Sequence, residues 1–88
     1  MASIQQFLDY LLYEKKYSSH TVLAYQKDLE TFAVFIQNQF EEEELREVNY
    51  SMIRSWIISL VDNGISNRSI NRKISSLKTF YKFLLKIK

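Results

Sequence analysis

The chain has 88 residues, of which 47% are hydrophobic and 15% aromatic, so it is long enough for one globular domain and too apolar for a disordered segment. It contains no cysteine, which excludes a disulfide framework, a thiolate metal site and a cysteine nucleophile. Because no apolar run approaches about 20 residues and no signal-peptide pattern opens the chain, we expect a soluble, cytoplasmic domain without membrane contact.

The formal net charge of +2 is the sum of two opposed halves of the chain. Residues 1–48 carry four basic and nine acidic side chains, whereas residues 49–88 carry eight basic side chains and one acidic side chain. Such asymmetry indicates contact with nucleic acid or with a membrane surface. The membrane is the weaker hypothesis, because a surface-bound helix needs a broad apolar face that the core requires here.

The predicted secondary structure is entirely helical. The chain has no proline and one glycine, and its apolar residues recur at helical spacing. The first helix is predicted to begin at Ser3, whose hydroxyl forms a capping box with Gln6, and to end near Lys15 and Lys16.

A short connection at residues 17–19 leads to the second helix, which a serine caps and which runs to about Gln39. Residues 41–47 follow as EEEELRE. Because successive carboxylates repel one another, this run predicts a solvated loop, with Leu45 and Val48 turned inward.

The third helix is capped by Asn49 and ends at residues 62–64, where Gly64 readily adopts a left-handed conformation. Ser66 then caps the fourth helix. Four helices of about 12 to 20 residues with short connections predict an all-α fold, either a compact bundle or an orthogonal helical array.

The fourth helix has two faces. Its apolar stripe, predicted to pack on the core, consists of Ile70, Ile74, Leu77, Tyr81 and Leu84. The opposite side with its shoulders is basic or polar and consists of Arg68, Asn71, Arg72, Ser75, Lys78, Thr79, Lys82 and Lys86. Phe80 and Phe83 lie off the apolar stripe, so they either wedge against a neighbouring helix or form a contact surface for another domain.

This basic stripe is the strongest functional signal, although a merely solvated helix face is the alternative. Solvated helices usually mix charges to gain ion pairs one turn apart, and the stripe contains no acid. Its amide and hydroxyl groups can hydrogen-bond phosphates or base edges, and arginine and asparagine can contact guanine and adenine bidentately. A second acid-free face lies on the second helix, at His20, Ala24, Lys27 and Thr31. We therefore predict nucleic-acid binding.

No catalytic, metal or cofactor site is predicted. His20 is the only histidine, and it has neither a cysteine partner nor metal-ligand spacing, so we expect a surface residue whose one possible special role is phosphate or base contact. The contiguous glutamates at 41–44 do not converge on one cation. A single glycine excludes a phosphate-cradling nucleotide loop.

Three segments together resemble the N-terminal core-binding, or SAM-like, domain of tyrosine recombinases, also called phage integrases, and especially the Xer type. They are FLDYL at 7–11, SSHTVLAY at 18–25 followed by Asp28, Leu29 and Phe32, and GISNRSINRKISSLKTFY at 64–81. Their order and spacing over four helices are more specific than any single segment. The resemblance covers essentially the whole chain and implies a compact four-helix SAM-like domain over residues 1–88.

In such enzymes this domain and a larger C-terminal catalytic domain close around a DNA recombination site, with the second and fourth helices towards the major groove. By position, the resemblance implies DNA contact by His20, Thr21, Ala24, Lys27, Asn67, Arg68, Asn71, Arg72, Ser75, Lys78, Thr79 and Lys82. The implied partners are double-stranded DNA, the catalytic domain and other recombinase protomers. We expect the chain alone to be a monomer that binds DNA weakly.

The family's catalytic arginines, lysine, histidine and nucleophilic tyrosine have no counterpart in this sequence. We therefore expect a fragment that is not itself an enzyme, in which none of the six tyrosines is a nucleophile. The parent protein would cleave and rejoin DNA strands in DNA integration or chromosome dimer resolution. The alternative, from a different class, is a helical protein-interaction module that docks through Phe80, Phe83 and Leu85 without binding DNA.

Overall fold

The computed structural model describes residues 4–87, and within them it contains four α-helices and no strand. The helices are α1 (Ile4–Asp9), α2 (Ser19–Phe40), α3 (Tyr50–Asp62) and α4 (Asn67–Ile87). A π-helical turn, Tyr10–Glu14, follows α1, and a 3-10 turn, Leu45–Glu47, precedes α3. The all-α prediction is confirmed, and no helix in this part of the chain is long and apolar enough to cross a membrane.

Local sequence signals place most of the helix ends. The side-chain oxygens of three capping residues accept hydrogen bonds from the backbone N–H groups three residues later. The pairs are Ser18 with Thr21 (3.2 Å), Asn49 with Met52 (3.1 Å) and Ser66 with Ser69 (3.2 Å). Gly64 has a φ of 78° after α3, as its freedom from a Cβ allows. The predicted cap at Ser3 lies outside the described residues.

The end of the first helical segment differs from the prediction. A continuous α-helix to Lys15 was expected, but its last turn is the π turn Tyr10–Glu14. Lys16 then takes a left-handed φ of 60°, and the N–H of Tyr17 donates to the carbonyl of Leu11 at 3.0 Å. A π turn holds more residues than an α turn, and here it carries the fully buried side chain of Leu11.

The core lies where all four helices meet. Its buried apolar side chains are Phe7, Leu8, Leu11, Leu29, Phe32, Ile36, Trp56, Ile70, Leu77, Phe80, Phe83 and Leu84. Aromatic rings connect the helices through edge contacts, because this arrangement brings a positive ring edge to a negative ring face. The ring of Phe7 in α1 lies 5.3 Å from that of Phe80, and Phe32 in α2 lies 4.9 Å from Trp56 in α3.

Phe80 and Phe83 wedge into the core instead of forming an exposed surface. The two residues are 1% and 7% exposed, respectively, and both rings contact Phe7. The buried arc of α4 is therefore wider than the predicted stripe, in which Ile74 is only half-buried. Because α4 packs against α1, α2 and α3 together, one narrow stripe cannot satisfy all three neighbours.

The connection between α2 and α3 is anchored to α4 by one hydrogen bond. The hydroxyl of Tyr81 donates to the carbonyl of Leu45 at 2.7 Å, and burial raises the pKa of this phenol above its usual value. Leu45 and Val48 pack against the core as predicted. The solvated acidic run therefore has an ordered inner side, which fixes the path of the chain into α3.

Candidate nucleic-acid interface

The acid-free faces of α2 and α4 meet at an open groove of about 350 Å³. From α2 it is lined by His20, Thr21, Ala24 and Tyr25, with Asp28 at the end of this row, and from α4 by Arg72, Ser75 and Ser76. Five of these residues belong to the set predicted to contact DNA. The tertiary structure thus places two faces that were inferred separately on one surface.

Asp28 holds the two helices together beneath this groove. Its carboxylate is 2% exposed and accepts hydrogen bonds from three side chains of α4. Arg72 Nη2 lies 2.8 Å and Lys73 Nζ 3.1 Å from Asp28 Oδ1, and Ser76 Oγ lies 2.9 Å from Oδ2. A buried carboxylate needs such partners, since an unpaired charge in the interior is costly.

The two cations on Asp28 differ in their access to solvent. The Lys73 side chain is 16% exposed, whereas that of Arg72 is 56% exposed. Lys73 is therefore largely committed to the helix interface. Arg72 contacts Asp28 with one nitrogen, and its side chain remains accessible at the groove.

The other predicted DNA contacts on α4 lie outside the groove. Asn67, Arg68, Asn71, Lys78 and Lys82 are exposed, and Thr79 is half-buried. Steps of three or four residues connect positions 68, 71, 75, 78 and 82, so these side chains follow one face of the helix. The hydroxyl of Thr79 donates to the carbonyl of Ser75 at 3.0 Å, which leaves its oxygen lone pairs for a ligand.

On α2, Lys27 is exposed but does not line the groove. Its neighbour Thr31, on the same predicted face, donates its hydroxyl to the carbonyls of Lys27 and Asp28. The face of α2 therefore has two parts. The first two turns contribute to the groove, and Lys27 extends the positive surface along the helix.

The acidic run is distant from the α2 side of the groove, although its Leu45 carbonyl contacts Tyr81, next to Lys82 on α4. Thr21 and Glu41 are separated by twenty positions along α2, which corresponds to about 30 Å at the rise of an α-helix. That distance is about three times the screening length at 0.1 M salt. Locally, the one carboxylate that lines the groove, Asp28, faces two cations, so it does not make the groove negative.

The described part of the structure contains no metal site beside the basic surface. Within residues 4–87 no group of three or more histidine, cysteine, aspartate or glutamate side chains could hold a metal ion. Every buried side-chain nitrogen and oxygen there has a hydrogen-bond partner. The basic surface is the feature left to explain.

A family model described as "Phage integrase, N-terminal SAM-like domain" matches residues 4–88. The chain belongs to this family. Tyrosine recombinase XerC of Anoxybacillus flavithermus is 40% identical to this SAM-like domain over 86 residues, and tyrosine recombinase XerD of Rickettsia conorii is 42% identical over 87 residues. The alignments include 98% and 97% of the chain, respectively. No solved structure matches it.

The SAM-like domain spans only about a quarter of these relatives. The alignments cover 28% of the XerC protein and 27% of the XerD protein. The matched family is an N-terminal domain, and the catalytic part of such recombinases is C-terminal to it. The 88-residue sequence thus corresponds to the N-terminal SAM-like domain of such recombinases, as expected.

Sequence reasoning assigned no role to three residues that organise this SAM-like domain, namely Asp28, Lys73 and Ser76. One available signal was the position of Asp28 one turn before Phe32 and three residues after Tyr25, within the apolar side of α2. A carboxylate at such a position is expected to be buried and therefore to require cationic partners. Which cations it would meet depends on the packing of α4.

Proposed function

We propose that this SAM-like domain binds duplex DNA through α2 and α4 and supplies half-site affinity and recognition to a site-specific tyrosine recombinase. The observation that supports this most is the convergence of the two acid-free faces on one groove, continued by the exposed basic side chains of α4. Two recombinases of the Xer type are close relatives over this stretch. The full enzyme cleaves and rejoins strands, and this domain positions it on the site.

Two classes of contact follow from the geometry. The exposed cations Lys27, Arg68, Lys78 and Lys82 suit phosphates, because long unrestrained side chains can follow the backbone without exact placement. His20, Ala24 and Ser75 lie at the groove and present short polar or apolar groups, which suit base edges in the major groove. Phosphate contacts then set the register, and the groove residues read the sequence.

Fluorescence anisotropy with a labelled duplex at several salt concentrations tests the proposal. Four to five phosphate contacts give a slope of log affinity against log salt of about −3.6 to −4.5. We expect weak binding at low salt that follows this slope. Absence of binding at low salt, or binding that does not respond to salt, refutes DNA binding by this surface.

Matched arginine and lysine variants test the location of the surface. Lys78→Ala and Lys82→Ala remove exposed cations from α4, whereas Arg46→Ala and Arg54→Ala remove exposed cations from the acidic connection and from α3. We expect the first two to weaken binding and to reduce the salt slope by about 1 each. Arg72→Ala should also weaken binding. Equal losses at Arg46 and Arg54 would show that only diffuse positive charge matters.

The alternative protein-interaction module loses its proposed docking patch. Two of the three residues assigned to it, Phe80 and Phe83, are buried among the core aromatics. Leu85 alone is exposed, at 69%. A single exposed leucine is ordinary for a protein surface, so the proposed patch does not support that function.

A further inference from the structure

Arg72 is set apart from the other cations of the proposed DNA surface by a fixed partner. Within residues 4–87, Lys27, Arg68, Lys78 and Lys82 make no ion pair or side-chain hydrogen bond. Arg72 contacts a buried carboxylate at 2.8 Å. A held guanidinium loses less side-chain freedom when it binds a ligand than a free one does.

The contact with Asp28 leaves Arg72 able to make a bidentate contact. A guanidinium presents two edges that carry paired donors, one formed by Nε and Nη2 and the other by Nη1 and Nη2. Each edge uses a different hydrogen of Nη2. Because only Nη2 contacts Asp28, one complete two-donor edge remains, and the side chain is 56% exposed at the groove.

Asp28 is itself held rigidly in place. Its two oxygens accept bonds from Lys73 and Ser76 as well as from Arg72, and the residue is 1% exposed. Asp28 therefore cannot follow Arg72 if the arginine moves. The carboxylate works as a fixed support that limits the directions in which the free edge can point.

We propose that Arg72, positioned by Asp28, reads one guanine in the major groove of the recombination half-site. This inference rests on the proposed DNA binding. Guanine presents O6 and N7 side by side as acceptors, and an arginine edge matches this pair. A phosphate also accepts two donors, but it does not require a guanidinium whose direction is fixed.

A selection from a randomised duplex library at low salt, followed by sequencing, tests the base preference. The wild-type domain is expected to enrich a guanine at one position by about 5- to 150-fold over other bases. Arg72→Gln should lose this enrichment. Arg68→Gln, the same chemical change on the same helix without an Asp28 contact, should bind less tightly and keep it.

Modified bases test the atoms involved. In anisotropy measurements on the selected duplex, 7-deazaguanine at that position removes the N7 acceptor and retains base pairing, so it should weaken wild-type binding about fivefold or more. Inosine keeps both O6 and N7 and should bind within about twofold of guanine. Arg72→Gln should not distinguish the three bases.

Two further variants test the positioning role of Asp28. Lys73→Met removes a cation from the same oxygen but leaves the Asp28 contact with Arg72, so the guanine preference should persist. Asp28→Asn should lower the preference while binding at low salt is retained. Circular dichroism at 222 nm identifies the temperature at which both variants are folded, and the Arg72→Gln comparison stands independently of their stability.

The outcomes separate this inference from DNA binding itself. If Arg72→Gln weakens binding equally for all duplexes, reduces the salt slope by about 1 and keeps the guanine preference, Arg72 contacts a phosphate and the inference fails. A wild-type selection without any enriched guanine also overturns it. If the wild-type domain binds no duplex at low salt, the proposed function fails instead.

Discussion

The shared contact of Lys73 and Arg72 with Asp28 predicts unequal effects on stability. Lys73→Met removes a largely buried ammonium but keeps an unbranched apolar side chain for packing. Arg72→Met makes the corresponding change at the more exposed partner. Because the two side chains contact the same oxygen and differ in exposure, 16% against 56%, the comparison tests the effect of burial.

Burial sets the expected magnitudes. A hydrogen bond to a charged group contributes about 1.5–3 kcal/mol when it is shielded from water, and we take about 2 kcal/mol for Lys73. Solvent screening and side-chain entropy reduce an exposed ion pair to about 0–1 kcal/mol, and we take about 0.5 kcal/mol for Arg72. For a domain of this size, 1 kcal/mol corresponds to about 4–8 °C in Tm.

Thermal and urea unfolding followed by circular dichroism at 222 nm measure both variants. Lys73→Met should lower Tm by about 8–16 °C, and Arg72→Met by about 2–4 °C, with no change in the urea m-value. DNA affinity at a temperature where both are folded should show the reverse order. Equal losses of stability, or a larger loss at Arg72, would refute the argument that burial decides the energy of these pairs.

Substitutions at two other positions test features of the fold. Tyr81→Phe removes the hydrogen bond to Leu45 and should cost about 1 kcal/mol of stability. Because burial raises the phenol pKa above its ordinary value of 10.0, the stability that this phenol contributes is present below pH 10 and is lost as pH rises further. The wild type should therefore lose stability more steeply than the variant between pH 9 and 11, and parallel curves would contradict this. Gly64→Ala should lower Tm by about 4–8 °C, because alanine is strained at a φ of 78° even though its Cβ would meet no atom within 4 Å. Gly64→Asn should lower Tm less, since asparagine tolerates left-handed φ. Identical Tm values for Gly64→Ala and wild type would exclude the strain.

Much of the secondary structure was predictable because the signals that place helix ends are local. The caps Ser18, Asn49 and Ser66 act on N–H groups three residues away, and Gly64 acts on its own backbone. The core aromatics Phe7, Phe32 and Trp56 follow from helical periodicity in the same way. These features depend on contacts within one or two turns, which a linear sequence displays directly.

Features that depend on helix packing were predicted incompletely. Phe80 and Phe83 had two possible roles, because periodicity along α4 does not say how many neighbours the helix has. The π turn at residues 10–14 was missed, since an α-helix and a π turn have the same composition. The candidate site shows both outcomes, as the polar faces were predicted separately but their meeting at one groove was not.

The sequence by itself determined that this protein is an all-helical domain with an acid-free basic helix and a second acid-free face, because helical periodicity and charge order are written along the chain. Only the tertiary structure decided what the individual cations do. Asp28 meets Arg72, Lys73 and Ser76 across 44 to 48 positions, and burial then separates a structural lysine from an available arginine. Such a division depends on the distance between helices and on access to water, and both arise only when α2 and α4 pack together.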